Sequence, residues 1–385
     1  MFITCRKAYS PPVISSGPSR LVVEGNINPG ADSTIIRLTR TENLSTPSGS
    51  PPVAELGAAV AIESDANITY TLAEQGNGYY ATPGLSLNPA NKYKLKITTS
   101  ANKAYESDFV TVKNSQPIDS VSFNALSTGV QVNVSTHDAS NNSRYYRYEY
   151  EETWVIHADY FSSYEVTTNS AGTKVIAPRP VADQIFTCYT SDKSSTIVLG
   201  STDKLSKDVL ANSPVIFIGS HSEKIGTRYS ILVKQFVLTK EGFDYYQQLS
   251  KNTEQLGGIF DPQPSSLTGN IHCITIPTEQ VIGYITAGSV TQKRIYINKS
   301  DVPNNNQYLT TLPFDNCKLD SFYFSAPHTS INEVQLNIID GDAIPIAPFG
   351  KPGSPPLGYT GSGGLCIDCT VRGTNKKPAF WTDQF

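Results

Sequence analysis

Apolar residues recur at every second position over much of this chain. Thr34-Ile-Ile-Arg-Leu-Thr-Arg40, Tyr93-Lys-Leu-Lys-Ile-Thr-Thr99 and Tyr105-Glu-Ser-Asp-Phe-Val-Thr-Val112 alternate clearly, the period of a half-buried strand. Leu21–Ile27 reads as a further strand closed by the Asn28–Asp32 turn, and Ala58–Glu63 pairs with Thr69–Leu72. About seven short strands at regular spacing over residues 20–114 predict a small β-sandwich. Asn114–Asp119 has the composition of a boundary, and Pro117 keeps Gln116 out of helical geometry.

The same period returns after residue 118. Ser120–Phe123 and Val130–Val134 read as strands, and Arg144–Trp154 alternates strictly. Tyr146, Tyr148 and Tyr150 share one face of that strand, while Arg147, Glu149 and Glu151 share the other. The pattern fits a core-facing aromatic row opposite a solvated charged row. An exposed ladder of these tyrosines with Trp154, stacking on a sugar or peptide, is the functional alternative. Residues 155–226 are irregular, with short strand candidates at Thr196–Gly200 and Pro214–Ile218 and a helical turn or two at Leu205–Asn212. Arg228–Leu238 is a long strand that runs into the one stretch of clear helical period. There Thr239 caps, Glu241 suits the first turn, and Phe243, Tyr246 and Leu249 with Tyr245 make an apolar face. A helix over 239–255 follows, stopped by Gly257 and Gly258 ahead of an extended Asp261–Pro264 turn. Val281–Val290 and Lys293–Ile297 predict a hairpin, and 303–364 is rich in Pro, Gly and Asn.

Composition sharpens this to an all-β chain. Charged residues are 17% of the 385, with 21 Tyr against one Met; an average soluble domain carries roughly 25% charged residues. Many Tyr, Thr and Val suit pleated surfaces, whereas long helices favour Ala, Leu, Glu and Lys. The net charge of −4 gives no electrostatic case for nucleic acid. No apolar run approaches the roughly 18 residues a spanning helix needs. Histidines at 137, 157, 221, 272 and 328 are scattered without metal-ligand spacing, and the nucleophile-elbow, phosphate-loop and HExxH motifs are absent. The expectation is a non-enzyme with no metal and no cofactor. A hydrolase would have to assemble distant residues such as Glu151, His157 or His272, which nothing local supports.

At the start, Met1-Phe-Ile-Thr-Cys5 resembles the tail of a bacterial lipoprotein signal peptide, lacking the charged region and most of the apolar region. Cys5 is then the lipidation site, and residues 1–19, Ser/Pro-rich from Ser10, are a tether. Residues 20–114 resemble the carboxypeptidase-regulatory-like or transthyretin-like sandwich. The fold expected is therefore mainly β. An N-terminal Ig-like or transthyretin-like sandwich precedes a larger β-rich domain over 118–385, with a fibronectin-III-like core, one inserted helix and a Cys-rich tail.

Seven stretches stand out in order along the chain: Cys5 with Tyr9–Pro12, Leu21–Gly25, Tyr145–Trp154, Tyr229–Gln235, Lys251–Gly257 with Phe260–Pro264, Gly269–Cys273, and Cys366–Cys369 with Arg372–Asn375 and Pro378–Trp381. Together they resemble one family, the Bacteroidetes outer-membrane lipoproteins that carry the domain of unknown function DUF4249. The resemblance implies a lipid-anchored envelope protein, often encoded beside a TonB-dependent outer-membrane transporter, with no known activity. The reading that follows is an accessory lipoprotein that binds a small-molecule, peptide or glycan ligand, or the β-barrel itself. A structural or adhesive surface module is the alternative. An envelope location also bears on the cysteines. Cys366-x-x-Cys369 reads as a redox pair, as half of a zinc site with Cys273 and Cys317, or as disulfide partners, and oxidising surroundings favour disulfides. Cys273 and Cys317 are the expected partners of Cys366 and Cys369, which leaves Cys188 single.

Overall fold

The structure, a computed structural model, describes residues 19–42, 51–254, 267–304, 308, 317–327 and 331–382. Cys5, the tether, the Gly257–Pro264 stop and His328 lie outside them. The described chain is mainly β, 48% strand.

The first unit contains β1 (Leu21–Ile27), β2 (Thr34–Arg40), β3 (Val53–Ala54), β4 (Ala59–Ser64), β5 (Thr69–Gly76), β6 (Tyr79–Thr82), β7 (Lys92–Thr98), β8 (Ala104–Ser107) and β9 (Val110–Lys113). The second contains β10 (Ile118–Leu126), β11 (Gly129–Asp138), β12 (Tyr145–His157), the hairpin β13 (Tyr164–Thr168) and β14 (Lys174–Pro178), β15 (Thr187–Lys193), β16 (Val198–Ser201), β17 (Asp208–Gly219) and β18 (Arg228–Val237). Helix α1 (Lys240–Glu254) follows β18 at once. Then come β19 (Ile271–Cys273), β20 (Ile282–Gly283), β21 (Thr286–Gly288), β22 (Val290–Asn298), β23 (Asp320–Tyr323), β24 (Ala343–Phe349) and β25 (Gly358–Gly363).

Where a sandwich was expected over 20–114, the first unit is a closed, barrel-like sheet of eight strands. Around the ring the order is β7-β4-β5-β6-β2-β1-β21-β9, and β9 returns to β7. The strand that closes it comes from far downstream. β21 lies parallel to β1 through Asn26↔Thr286 and Ile27↔Ala287, and parallel to β9 through Ala287↔Val112. β20 extends the same edge of β1 and β19 adds to β8. Closure matters because an open sheet leaves two edges of unpaired N–H and C=O groups. Inside, Leu21, Ile36, Leu38, Ile62 and Leu95 are fully buried, and Ile285 and Ala287 from the returning segment join them. The hairpin expected from Val281–Val290 and Lys293–Ile297 is therefore not formed. The first stretch completes the barrel, and the second, as β22, pairs with β18 from Arg228↔Asn298 to Phe236↔Val290. Periodicity gives each strand's faces and says nothing of its partner.

The second unit faces a three-stranded sheet, β10-β11-β17, against a five-stranded one, β15-β12-β18-β22 with β16 also on β12. One core fills the space between them. Leu205–Asn212, read as helical turns, is strand from Asp208, where it pairs with β11. The tail forms a third sheet, β23-β25-β24. Helix α1 takes its cap from Thr239, whose hydroxyl accepts from the Gly242 N–H at 3.2 Å. Its apolar side splits: Phe243 packs with Phe236 and Leu238 of the second unit, whereas Tyr245 meets Tyr284 of the returning segment at 5.2 Å between ring centroids.

Candidate functional site

Two disulfides fasten the tail. Cys188 of β15 bonds Cys369, and Cys317 bonds Cys366. The expected partner Cys273 is instead a free, buried thiol. Its position explains why: Cys273 ends β19 inside the barrel core, paired in register with Tyr105, whereas Cys188 and Cys369 share a small core with Ile156. Neither a CxxC redox bond nor a zinc cage with Cys273 is present, and no group of three or more His, Cys, Asp or Glu among the described residues has the geometry to hold a metal ion. Further contacts lock the tail down. Trp381 packs edge-on to Tyr189 and Tyr296, the Tyr296 hydroxyl donates to the Phe380 carbonyl at 2.6 Å, and Arg372 pairs with Glu223 at 2.6 Å.

The aromatic ladder is core, not surface. Tyr146, Tyr148 and Tyr150 are at most 7% exposed and lie in the core between the two sheets. The Tyr146 hydroxyl donates to Asp208 at 2.9 Å. Trp154 is half-buried, with the Lys224 ammonium 4.9 Å from its ring centre. These four side chains offer no ladder to a ligand. β12 is covered on its tyrosine face by the opposing sheet, which one strand's alternation cannot reveal. The residues of the hydrolase alternative do not converge either. Glu151 pairs with Lys234, His157 contacts Thr187, and His272 contacts Asp108 on the barrel.

A cleft of about 610 Å³ lies instead where the barrel meets the second unit. Three elements build it. β1, the turn after it and the start of β2 give Glu24, Asn26, Asn28, Asp32 and Ile35; β12, β18 and β22 give Arg147, Glu149, Lys234, Phe236 and Gln292; α1 and the returning segment give Tyr245, Tyr246, Leu249, Ile282 and Tyr284. The chain approaches itself closely here. A Cβ on Gly283 would sit 2.2 Å from the Val23 carbonyl oxygen, and one on Gly25 would sit 2.5 Å from that of Ile35. Both glycines have φ between +140° and +150°, where L side chains are strained.

At the centre stands Arg147, from the row of β12 read as solvated. Its guanidinium carbon lies 4.4 Å from the Phe236 ring centre and 4.6 Å from that of Tyr246. It donates to Glu149 Oε1 at 2.7 Å, and its buried Nε has no hydrogen-bond partner among the described residues. Cation–π contact with both rings restrains the planar fork. Nearby, Lys234 is committed to Glu151 at 2.7 Å and Glu24 to Arg37 at 3.6 Å. Burial pushes the phenols of Tyr245 and Tyr284 upward, so both stay neutral donors at ordinary pH. The sequence signal for this site was the position of Arg147 amid the tyrosines and of Tyr246 on the helix face. That they meet Glu24 and Asp32 depends on the barrel closing from downstream.

Two solved structures similar to this chain show weak likenesses. An adhesin, InvE of Yersinia pseudotuberculosis, aligns at 16% identity over 55% of this chain and 61% of its own, with a TM-score of 0.15. Chitinase ChiA74 from Bacillus thuringiensis aligns at 11% identity over 54% of this chain and 29% of its own, also at 0.15. The chain thus spans less than two thirds of either, and scores so low carry no argument about fold or role. No curated protein gives a significant match. The model of the domain of unknown function DUF4249 matches residues 6–294, a span that contains the barrel, its returning strands, helix α1 and the cleft, and stops before the disulfide-fastened tail. Since that span is well over half of its length, the chain belongs to the DUF4249 family.

Proposed function

We propose that this is a non-enzymatic, lipid-anchored protein of a Bacteroidetes outer membrane, tethered through Cys5, that serves a TonB-dependent β-barrel transporter by binding a ligand or the barrel itself. The second unit is read within this proposal as a fibronectin-III-like sandwich. Cys5 and the tether are outside the described residues, so the anchor rests on the sequence pattern. The observation that supports binding over chemistry is the state of the cleft's charges. Arg147, Glu149, Lys234 and Glu24 are each engaged in an ion pair and Asp32 has no basic or nucleophilic group paired with it among the described residues, which suits recognition more than proton transfer by a matched acid and base.

Affinity purification of the tagged protein from detergent-solubilised envelopes tests the accessory role. A co-purifying β-barrel protein in stoichiometric amount is the expected result. Recovery of the acylated protein without any barrel, across detergents that preserve outer-membrane complexes, would sink it. Intact-mass analysis of the same material should show Cys5 carrying acyl chains, and a bare thiol there would remove the anchor.

A further inference from the structure

The groups lining the cleft differ sharply in how much bonding capacity they have left. Asn26 is used up by the fold, donating to the Gly288 carbonyl at 2.8 Å and accepting from the Thr286 hydroxyl at 2.8 Å. Asn28 likewise accepts from the Gly30 N–H at 2.9 Å. Tyr245 and Phe236 are under a tenth exposed. Of the cleft's three neutral amides, Asn26 and the Asn28 oxygen are thus engaged within the fold and Gln292 of β22 is left exposed. Capacity remains on the charged groups. Arg147 is a planar donor that gives one hydrogen bond among the described residues, to Glu149, and bidentate recognition of a carboxylate is what a guanidinium packed against two rings is suited to. Elsewhere in the lining, Asp32 is exposed on the turn after β1 with no hydrogen-bond or ion-pair partner among the described residues, and Glu24 is held only loosely. Between these poles lie the half-buried Tyr246, Tyr284 and Leu249 and the exposed Ile35.

A planar cation already sharing one acid, Glu149, a separate exposed acid, Asp32, and apolar side chains in one cleft match a zwitterion with apolar side chains. Resting on the binding reading above, the geometry points to a short peptide as the ligand. Its free α-carboxylate sits on Arg147, its α-ammonium lies on the Asp32 side, and its side chains rest against Tyr246, Leu249 and Ile35. The volume falls in the usual range for small-ligand pockets.

The test uses the full chain immobilised and challenged with a randomised tripeptide pool, its C-terminally amidated counterpart, its N-acetylated counterpart and a pool of neutral oligosaccharides, with retention read by mass spectrometry. The free peptides should be retained at least tenfold more than the amides. Arg147→Lys, which keeps the charge but loses the fork, should erase that ratio. Because Arg147 also packs, Asp32→Asn on the exposed turn is the second variant. It should leave the melting transition unchanged and bring N-acetylated peptides to parity with free ones. Equal retention of acids and amides by the unmodified chain overturns the proposal, as does retention of no peptide at all. Retention of the oligosaccharide pool instead overturns the peptide while leaving a binding protein standing, and the co-purification experiment decides the accessory role separately.

Discussion

Asp138, at the end of β11, is 4% exposed yet charged. Burial pushes its carboxyl up, but the Ser140 hydroxyl at 2.6 Å, the Ser140 and Asn142 N–H groups and Ser143 outweigh it and bring it down to about 2. The folded value lies below the ordinary 3.8. Its contribution is therefore complete above pH about 4 and lost as pH falls through about 2. Asp138→Asn should cost about 2 kcal/mol at pH 7 in urea unfolding. The gap to the unmodified protein should close between pH 4 and pH 2; a gap independent of pH would refute the assignment. Residues also show how far alternation can be read. It placed Tyr146, Tyr148 and Tyr150 on one face correctly, and the preference for a buried row agrees with the core between the sheets. It placed Arg147 on the opposite face correctly too, but that face meets a helix and a barrel wall rather than water. Periodicity yields a side, and what covers that side is settled by tertiary structure.

Among the elements, strands and the helix were legible wherever they alternate or repeat over several residues, as in β7, β12, β18 and α1. β20 and β21, of two and three residues, carry no period that can be recognised, and their partners lie more than 170 residues upstream. They nonetheless complete the ring. A fragment of residues 19–114 should therefore lack a cooperative thermal transition and associate through the exposed edges of β1 and β9, both measurable by circular dichroism and sedimentation. A monomeric, cooperatively melting fragment would show that β21 is dispensable. Within the full chain, Gly283→Ala forces a Cβ against the Val23 backbone. It should destabilise the protein by about 2–3 kcal/mol and expose the Cys273 thiol to a labelling reagent faster than in the unmodified chain.

On the scale of the molecule, the tail is held by Cys188–Cys369 and Cys317–Cys366, which close loops of 181 and 49 residues in sequence separation. Cross-links over such spans contribute about 2–5 kcal/mol each. Cys188→Ser should lower stability by that order and make residues 369–382 an early site of proteolysis, with the barrel's resistance little changed. Equal loss of both units would mean that they unfold as one. The choice of partners was not readable from sequence because six cysteines allow many pairings, and only the path of the chain puts Cys188 beside Cys369 while sealing Cys273 in the barrel.

The returning strand also sets an order of events in time. A chain that emerges from one end, through a ribosome or a translocation channel, presents β1 to β9 first and then must release everything from Ile118 to Tyr284 before Thr286–Gly288 arrives. At about 5–20 residues per second that is a delay on the order of ten to thirty seconds. Throughout it β1 to β9 stand without the strand that closes their ring, with two adhesive borders bare and waiting for a chaperone or for their own downstream sequence.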